Sequence, residues 1–273
     1  MRLLLFAALG LYAVAAIHAI LAFVNKRRTA DRTANVSLAL GFAAHTAALA
    51  ADWAAFGHYP LYSFRETLSF LAWTLVIAYG IASLRYHINA LAVLTMPLAA
   101  FLVTAAVVVR PGATTGPAAS NVTDGVAAWL FPIHTTLLIF AYASFFVVFA
   151  ASLMYLWQER ELKLKTFSSF FHRLPSLSTV DDIGQTAAGI GFTLLSLGII
   201  TGVIWSSQRS GRMWHNDPKE IFALLTWMLY LTMIHYRAQW RGRRAAWVGV
   251  VGFALVLFTF LGTRMMGGYH VFG

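Results

Sequence analysis

The stretch "SGRMWHNDPKE", residues 210–220, gathers an indole, an imidazole, an amide, the cations Arg212 and Lys219 and the carboxylates Asp217 and Glu220 between two strongly apolar runs. Two further imidazoles stand at the ends of other apolar runs, His134 in "WLFPIHTTLL" and His270 in "MGGYHVFG". Neutral imidazoles from two different helices can ligate a haem iron axially, while nearby guanidinium or ammonium groups hold the propionates. In this reading Met213 and Trp214 supply surface for a porphyrin plane, and Arg209, Arg212 and Lys219 supply charge. Asp217 and Glu220 then orient those cations or start the following helix, whose first turn suits Pro218. His58, in "GHYP", falls at the same level. The plainer reading is a helix-start loop with an interfacial tryptophan, beside histidines that are ordinary at a wet boundary. Spacing by itself leaves both open.

The other histidines sort by depth. His18 precedes Lys26 by eight residues, which places it roughly 12 Å above one boundary of the first apolar run. His235 closes the seventh run at the same side, so the two form a candidate second pair. His45 lies midway along the second run, where a histidine costs enough to carry information. Hydrogen-bonded packing competes with ligation at both His18 and His45. His87 and His172 fall in connections, where solvated histidine is the default. Glu66, one turn into the third run, is placed to cap a helix start; Asp52 is placed to snorkel or to pair with Arg65.

The elements that must hold these groups are membrane helices. Of 273 residues, 59% are hydrophobic and 11% charged, against about 25% charged in soluble domains. Eight apolar runs approach the ~20 residues that cross a bilayer: 2–24, 36–56, 64–84, 88–109, 134–157, 185–205, 219–236 and 245–266. Their lengths exceed those of barrel strands. The expected fold is therefore an all-α polytopic membrane protein with about eight transmembrane helices, read as a single domain over 1–273. The first run is expected to be retained, because its basic cluster follows the apolar stretch instead of preceding it. Thirteen of the twenty cations fall in the connections after runs 1, 3, 5 and 7. The positive-inside rule places these in the cytoplasm, with both termini, the 110–133 connection and the 206–220 loop outside. The net charge of +10 thus needs no nucleic acid. There is no cysteine, so the chain has no disulfide, thiolate metal site or covalently attached haem of its own.

Four ordered segments resemble the CcsA/ResC family, the integral-membrane haem-handling component of system II cytochrome c maturation. "WSSQRSGRMWHNDPKEIFALLTWMLYLTMIHYR" is similar to the family's tryptophan-rich outer loop, the WWD domain, and the helix after it. "GHYPLYSFRETLSFLAW", "WLFPIHTTLLIFAYAS" and "VGFALVLFTFLGTRMMGGYHVFG" resemble its G-H-F-P segment, its histidine-led helix and its last helix. Gly211, Trp214, Asp217, Pro218, Lys219 and Glu220 stand where the pattern expects them. Ser210, Met213 and Asn216 replace residues that are usually aromatic, and Arg212 and His215 are added. The loop is thus a divergent WWD domain, more polar than the family's own.

The resemblance implies axial haem ligation by His134 and His270, and a second haem site in the membrane involving His235, whose family partner comes from another subunit. His58 matches a recurrent position without an assigned role. The implied activity is haem delivery within a cytochrome c synthase: haem b, held non-covalently and handled as a substrate, moves to the outer face of a bacterial cytoplasmic membrane for thioether attachment. Implied partners are a ResB/CcsB-like membrane subunit and an apocytochrome c carrying C-x-x-C-H. A haem transporter or haem-binding regulator without synthase activity is the alternative. An electron-transferring cytochrome b fits less well, since such proteins bury both ligand pairs within a bundle.

Overall fold

The computed structural model describes residues 2–25, 28–86, 88–109, 126–166, 171–236 and 239–262, with backbone alone at 126–128. Helices α1 (Arg2–Asn25), α2 (Arg28–Phe56), α3 (Phe64–Tyr86), α4 (Asn89–Val108), α5 (Val126–Leu164), α6 (Leu177–Ser210), α7 (Pro218–His235) and α8 (Arg243–Leu257) follow in order, α8 running on into a π turn at Phe258–Gly262. No strand occurs among the described residues. The chain is an all-α polytopic membrane protein.

Each expected apolar run corresponds to a helix, but several helices outgrow their runs. α2 begins at Arg28 instead of 36, α6 covers 177–210 instead of 185–205, and α5 begins at Val126, so 126–133 is helix where a connection was expected. Apolarity marks the part that lipid can cover, whereas the helix continues wherever its backbone hydrogen bonds do. Seven of the helices are long and apolar enough to cross a membrane; α7 is not among them. Its 18 residues open with Pro218, Lys219 and Glu220, which start the helix instead of extending its apolar length.

Two compact units emerge, 1–111 with 160–176, and 112–159 with 177–273. In the first, α1 lies along α2 and α4, and α3 along α4. Small residues permit the close approach: Ala8, Ala15 and Ala19 on α1 and Ala34, Gly41 and Ala48 on α2 are buried. A Cβ on Gly41 would come 2.7 Å from the Tyr12 ring, so helix contact here depends on the missing side chain. The 3-10 turn Phe171–Arg173 closes this unit at one end. There the Arg173 guanidinium donates to the Phe23 carbonyl in the last turn of α1 and packs over the Phe23 ring; a cation suits a helix C-terminus.

In the second unit α5 packs along a glycine-bearing face of α6, with residues 184, 191 and 198 meeting Ala151, Phe145 and Leu138 in turn. Tyr230 of α7 stacks on Phe145 with ring centroids 3.8 Å apart, and Gly252 of α8 leaves it room on the other side. The Trp227 indole N–H donates to Ser196 Oγ at 2.8 Å, tying α7 to α6. These contacts hold the middle of α6 against α5 and α7; the polar loop departs from its C-terminal end at Ser210.

Candidate functional site

His134 is held between α5 and α6. It sits on α5 two residues after Pro132 and points at α6. Its Nδ1–H donates to the Gly198 carbonyl at 2.7 Å. The proton is thereby assigned to Nδ1, and the ring's lone pair to Nε2, the arrangement found in histidines that ligate metals. One turn further along, Phe131 meets Trp205, ring centroids 5.3 Å apart, and the Arg209 guanidinium lies 5.2 Å over the same indole. Imidazole, aromatic pair and cation thus form a column up the α5–α6 contact toward the loop.

The loop turns sharply and is held by polar side chains. Gly211 and Asn216 take positive φ, 70° and 56°; glycine does so freely, and asparagine better than most residues. Asp217 is the N-cap of α7: its Oδ1 accepts the Lys219 N–H at 2.8 Å, and Glu220 reaches back to the Asp217 N–H, a capping box. Glu220 Oε2 also accepts the His215 N–H at 2.8 Å. The His215 ring is hydrogen-bonded to Ser210 at 2.9 Å and to Ser206 at 3.3 Å, with Glu220 Oε1 3.4 Å away. Ser206 donates to the Arg212 carbonyl at 3.0 Å. His215 therefore clasps the last turn of α6 to the first turn of α7.

This clasp leaves a specific surface. The Trp214 indole N–H donates to Asn216 Oδ1 at 2.7 Å, which pins one edge of a ring that is 44% exposed; Met213 beside it is 65% exposed. The Arg212 backbone is fixed while the residue lies exposed. Asp217, by contrast, is buried. A flat apolar group could lie on Trp214 and Met213, with Arg212 at its edge.

In the first unit His58 lies between two rings, stacked on Phe56 at 5.8 Å and edge-on to Tyr62 at 5.0 Å, with Nδ1–H donating to the Tyr59 carbonyl at 3.1 Å. Burial, and then the Glu66 carboxylate, push the Tyr62 phenol above its usual pKa. Glu66 caps α3 as expected: it accepts the Tyr62 and Ser63 N–H groups at 2.8 and 3.2 Å, and Ser63 Oγ accepts the Glu66 N–H. His18 donates to the Val14 carbonyl of its own helix at 2.9 Å. His45 is fully buried, and both ring nitrogens are engaged, by Tyr12 OH at 3.3 Å and Ser69 Oγ at 2.9 Å. It serves packing in this unit. His235, exposed at the end of α7 in the other unit, meets Tyr236 at 5.1 Å, and Tyr236 stacks on Trp240 at 5.3 Å. His270 lies outside the described residues.

Residues 61–270 match the family described as "Cytochrome C assembly protein". The chain belongs to this family. Curated relatives named "Cytochrome c biogenesis protein CcsA" agree. That of Guillardia theta is 28% identical over 246 residues, 84% of this chain and 81% of its own length. The relatives of Oryza sativa subsp. indica and Prochlorococcus marinus (strain MIT 9301) are 27% and 26% identical, covering 84% and 81% of this chain and 82% and 78% of their own. Membership of the cytochrome c assembly family assigns the chain to cytochrome c biogenesis as a multi-pass membrane protein.

Within that family frame, the structure places Arg212, Trp214 and Asp217 in the loop and Lys219 in the first turn of α7, and sets His134 on α5, which packs against α6. Trp205, Phe131 and the glycines at 198 and 202 were not legible as site residues. Trp205 opens the motif-bearing segment, which was a usable signal; the glycines resemble any small residue of a membrane helix.

Proposed function

We propose that the chain handles haem b as the haem-delivery subunit of a cytochrome c synthase, with His134 as one axial ligand at the outer face and His270 as its partner. The observation that carries this reading is the His134 Nδ1–H bond to the Gly198 carbonyl, because it holds the imidazole in the tautomer an iron requires. Arg209, Arg212 and Lys219 would hold the propionates, and Trp214 with Met213 would cover part of the porphyrin plane. Asp217 acts through the loop, since its carboxylate is spent on starting α7. His235, beside Tyr236 and Trp240, is placed to receive haem at the other side of the membrane, and the ResB/CcsB-like subunit supplies a further group there. His18 and His58 make the same kind of bond from Nδ1–H to a backbone carbonyl as His134 does, and this reading assigns neither of them an axial position.

Thirteen inward cations orient the loop toward the periplasm of a bacterial cytoplasmic membrane. There an apocytochrome c brings its own C-x-x-C-H segment. Each thioether forms by addition of a cysteine S–H across a haem vinyl C=C, the sulfur bonding one carbon and the proton ending on the other. No nucleophile from this chain is consumed, in keeping with its lack of cysteine. Its contribution is positioning.

The test is the absorption spectrum of the dithionite-reduced, detergent-purified chain, alone and with the ResB-like subunit, beside His134→Ala and His270→Ala. Sharp bands of a bis-histidine b-type haem in the parent, lost or altered in both variants, are expected. Coexpression with a C-x-x-C-H apoprotein then separates the two readings that remain. Covalent haem on the apoprotein supports the synthase. Haem binding without it supports a transporter or regulator, for which the replacement of aromatics by Ser210, Met213 and Asn216 leaves room. A parent spectrum empty of haem even with the subunit present ends the proposal.

A further inference from the structure

We infer that Gly202 is a positioning residue for His134: the missing side chain on α6 is the slot that holds the imidazole in its ligating orientation. A Cβ built on Gly202 would lie 2.5 Å from His134 Cε1 and 2.6 Å from Nδ1, distances that real Cβ atoms do not show. The ring therefore occupies the volume a methyl would take. From that slot its Nδ1–H reaches the Gly198 carbonyl one turn earlier at 2.7 Å. The same carbonyl accepts the Thr201 hydroxyl at 3.0 Å. Gly198 is itself filled by Leu138, the next residue down the same face of α5, whose Cδ2 lies 2.7 Å from a Cβ built there. The imidazole is thus bounded below by Leu138 and behind by bare α6 backbone.

A methyl at 202 meets a side chain that can swing, so the helix pair need not separate; the imidazole turns away instead. Turning breaks the Nδ1–H bond to the Gly198 carbonyl, releases the tautomer and re-aims Nε2. Gly202 touches no haem in this account, and its effect passes through His134. Other glycines of α6 differ: nothing lies within 4 Å of a Cβ on Gly189, while Gly191 faces the Phe145 ring.

This inference rests on the haem reading of His134, and the experiment separates their failures. The full chain is purified with its ResB-like subunit as parent, Gly202→Ala, Gly189→Ala, His134→Gly and the His134→Gly/Gly202→Ala double variant. Haem content, the reduced spectrum and the low-spin electron paramagnetic resonance signal are measured, with and without added imidazole. Loss of a ligand's supporting partner costs metal affinity roughly tenfold or more, so Gly202→Ala is expected to retain haem at least that much more weakly, with an altered low-spin signal. Gly189→Ala is expected to match the parent. In the His134→Gly background the second substitution should change nothing, because the group it strikes has gone. If Gly202→Ala fails to accumulate, accumulation of the double variant still assigns the clash to His134; failure of both assigns the glycine to helix packing and overturns the inference. A parent-like Gly202→Ala beside an altered His134→Gly overturns the slot alone. A parent-like His134→Gly overturns the haem reading and the slot with it.

Discussion

At the residue scale, a buried histidine, His45, and a half-buried one, His134, behave differently. His45 and His134 each stand within a long apolar helix, and spacing treats both as candidates for ligation or for packing. The structure gives His45 a partner for each nitrogen, from α1 and α3, so the ring ends as a cross-link between helices. His134 spends Nδ1 on a backbone carbonyl and turns the other nitrogen to ligation in the proposed function. The distinction was not legible because it depends on what faces the ring across the bundle, and a single helix says nothing of its neighbour. Glu66 was legible, since a cap reaches only to its own chain a few residues away. A consequence concerns Ser69, which leaves His45 Nε2 without its 2.9 Å partner when removed. Ser69→Ala is expected to cost about 1–3 kcal/mol and to lower the midpoint of thermal unfolding in detergent, with Ser144→Ala unchanged because that hydroxyl only bonds the Phe140 carbonyl of its own helix. Equal midpoints for the two variants would show that the Tyr12–His45–Ser69 chain contributes nothing to stability.

At the scale of elements, the loop between α6 and α7 is stabilised by two devices that meet at Glu220. One is the capping box with Asp217, the other the clasp through His215 to Ser206 and Ser210. The aromatic-to-polar replacements at 210 and 216 make sense here. Ser210 is a partner of the clasp, and Asn216 both takes the positive φ and anchors the Trp214 indole. Asp217→Ala should cost about 1 kcal/mol through the lost cap. Glu220→Ala weakens both devices at once, removing the carboxylate's bonds to the Asp217 and His215 N–H groups. In limited trypsin digestion of the purified protein, cleavage after Arg212 is expected to be faster in Glu220→Ala than in Asp217→Ala, and slowest in the parent. Equal rates would mean that the clasp does not restrain the loop. Element existence was readable from apolar runs, but helix ends were not: α2, α5 and α6 extend past their runs because lipid thickness limits apolarity and not hydrogen bonding.

At the scale of the molecule, the absence of cysteine makes topology directly measurable. Single cysteines at Met213 and Lys165, introduced one at a time, lie on opposite sides of the membrane in the proposed orientation. A membrane-impermeant maleimide on intact cells is expected to label Met213→Cys, and Lys165→Cys only after the cells are broken. The reverse pattern would invert the chain and move the loop away from the compartment where the cytochrome is made. The sequence by itself determined what covalent composition and one-dimensional periodicity can carry: a helical membrane protein, the charge asymmetry of its connections, the cap at Glu66 and the ordered motifs of the cytochrome c assembly family. Tertiary structure alone decided which imidazole meets a carbonyl, which glycine is a slot instead of a spacer, and which polar groups close the loop. The first two are contacts between helices distant in the chain and the third a fold of one loop back on its flanking helix ends, where ångström differences in approach decide whether a methyl fits or a proton is shared.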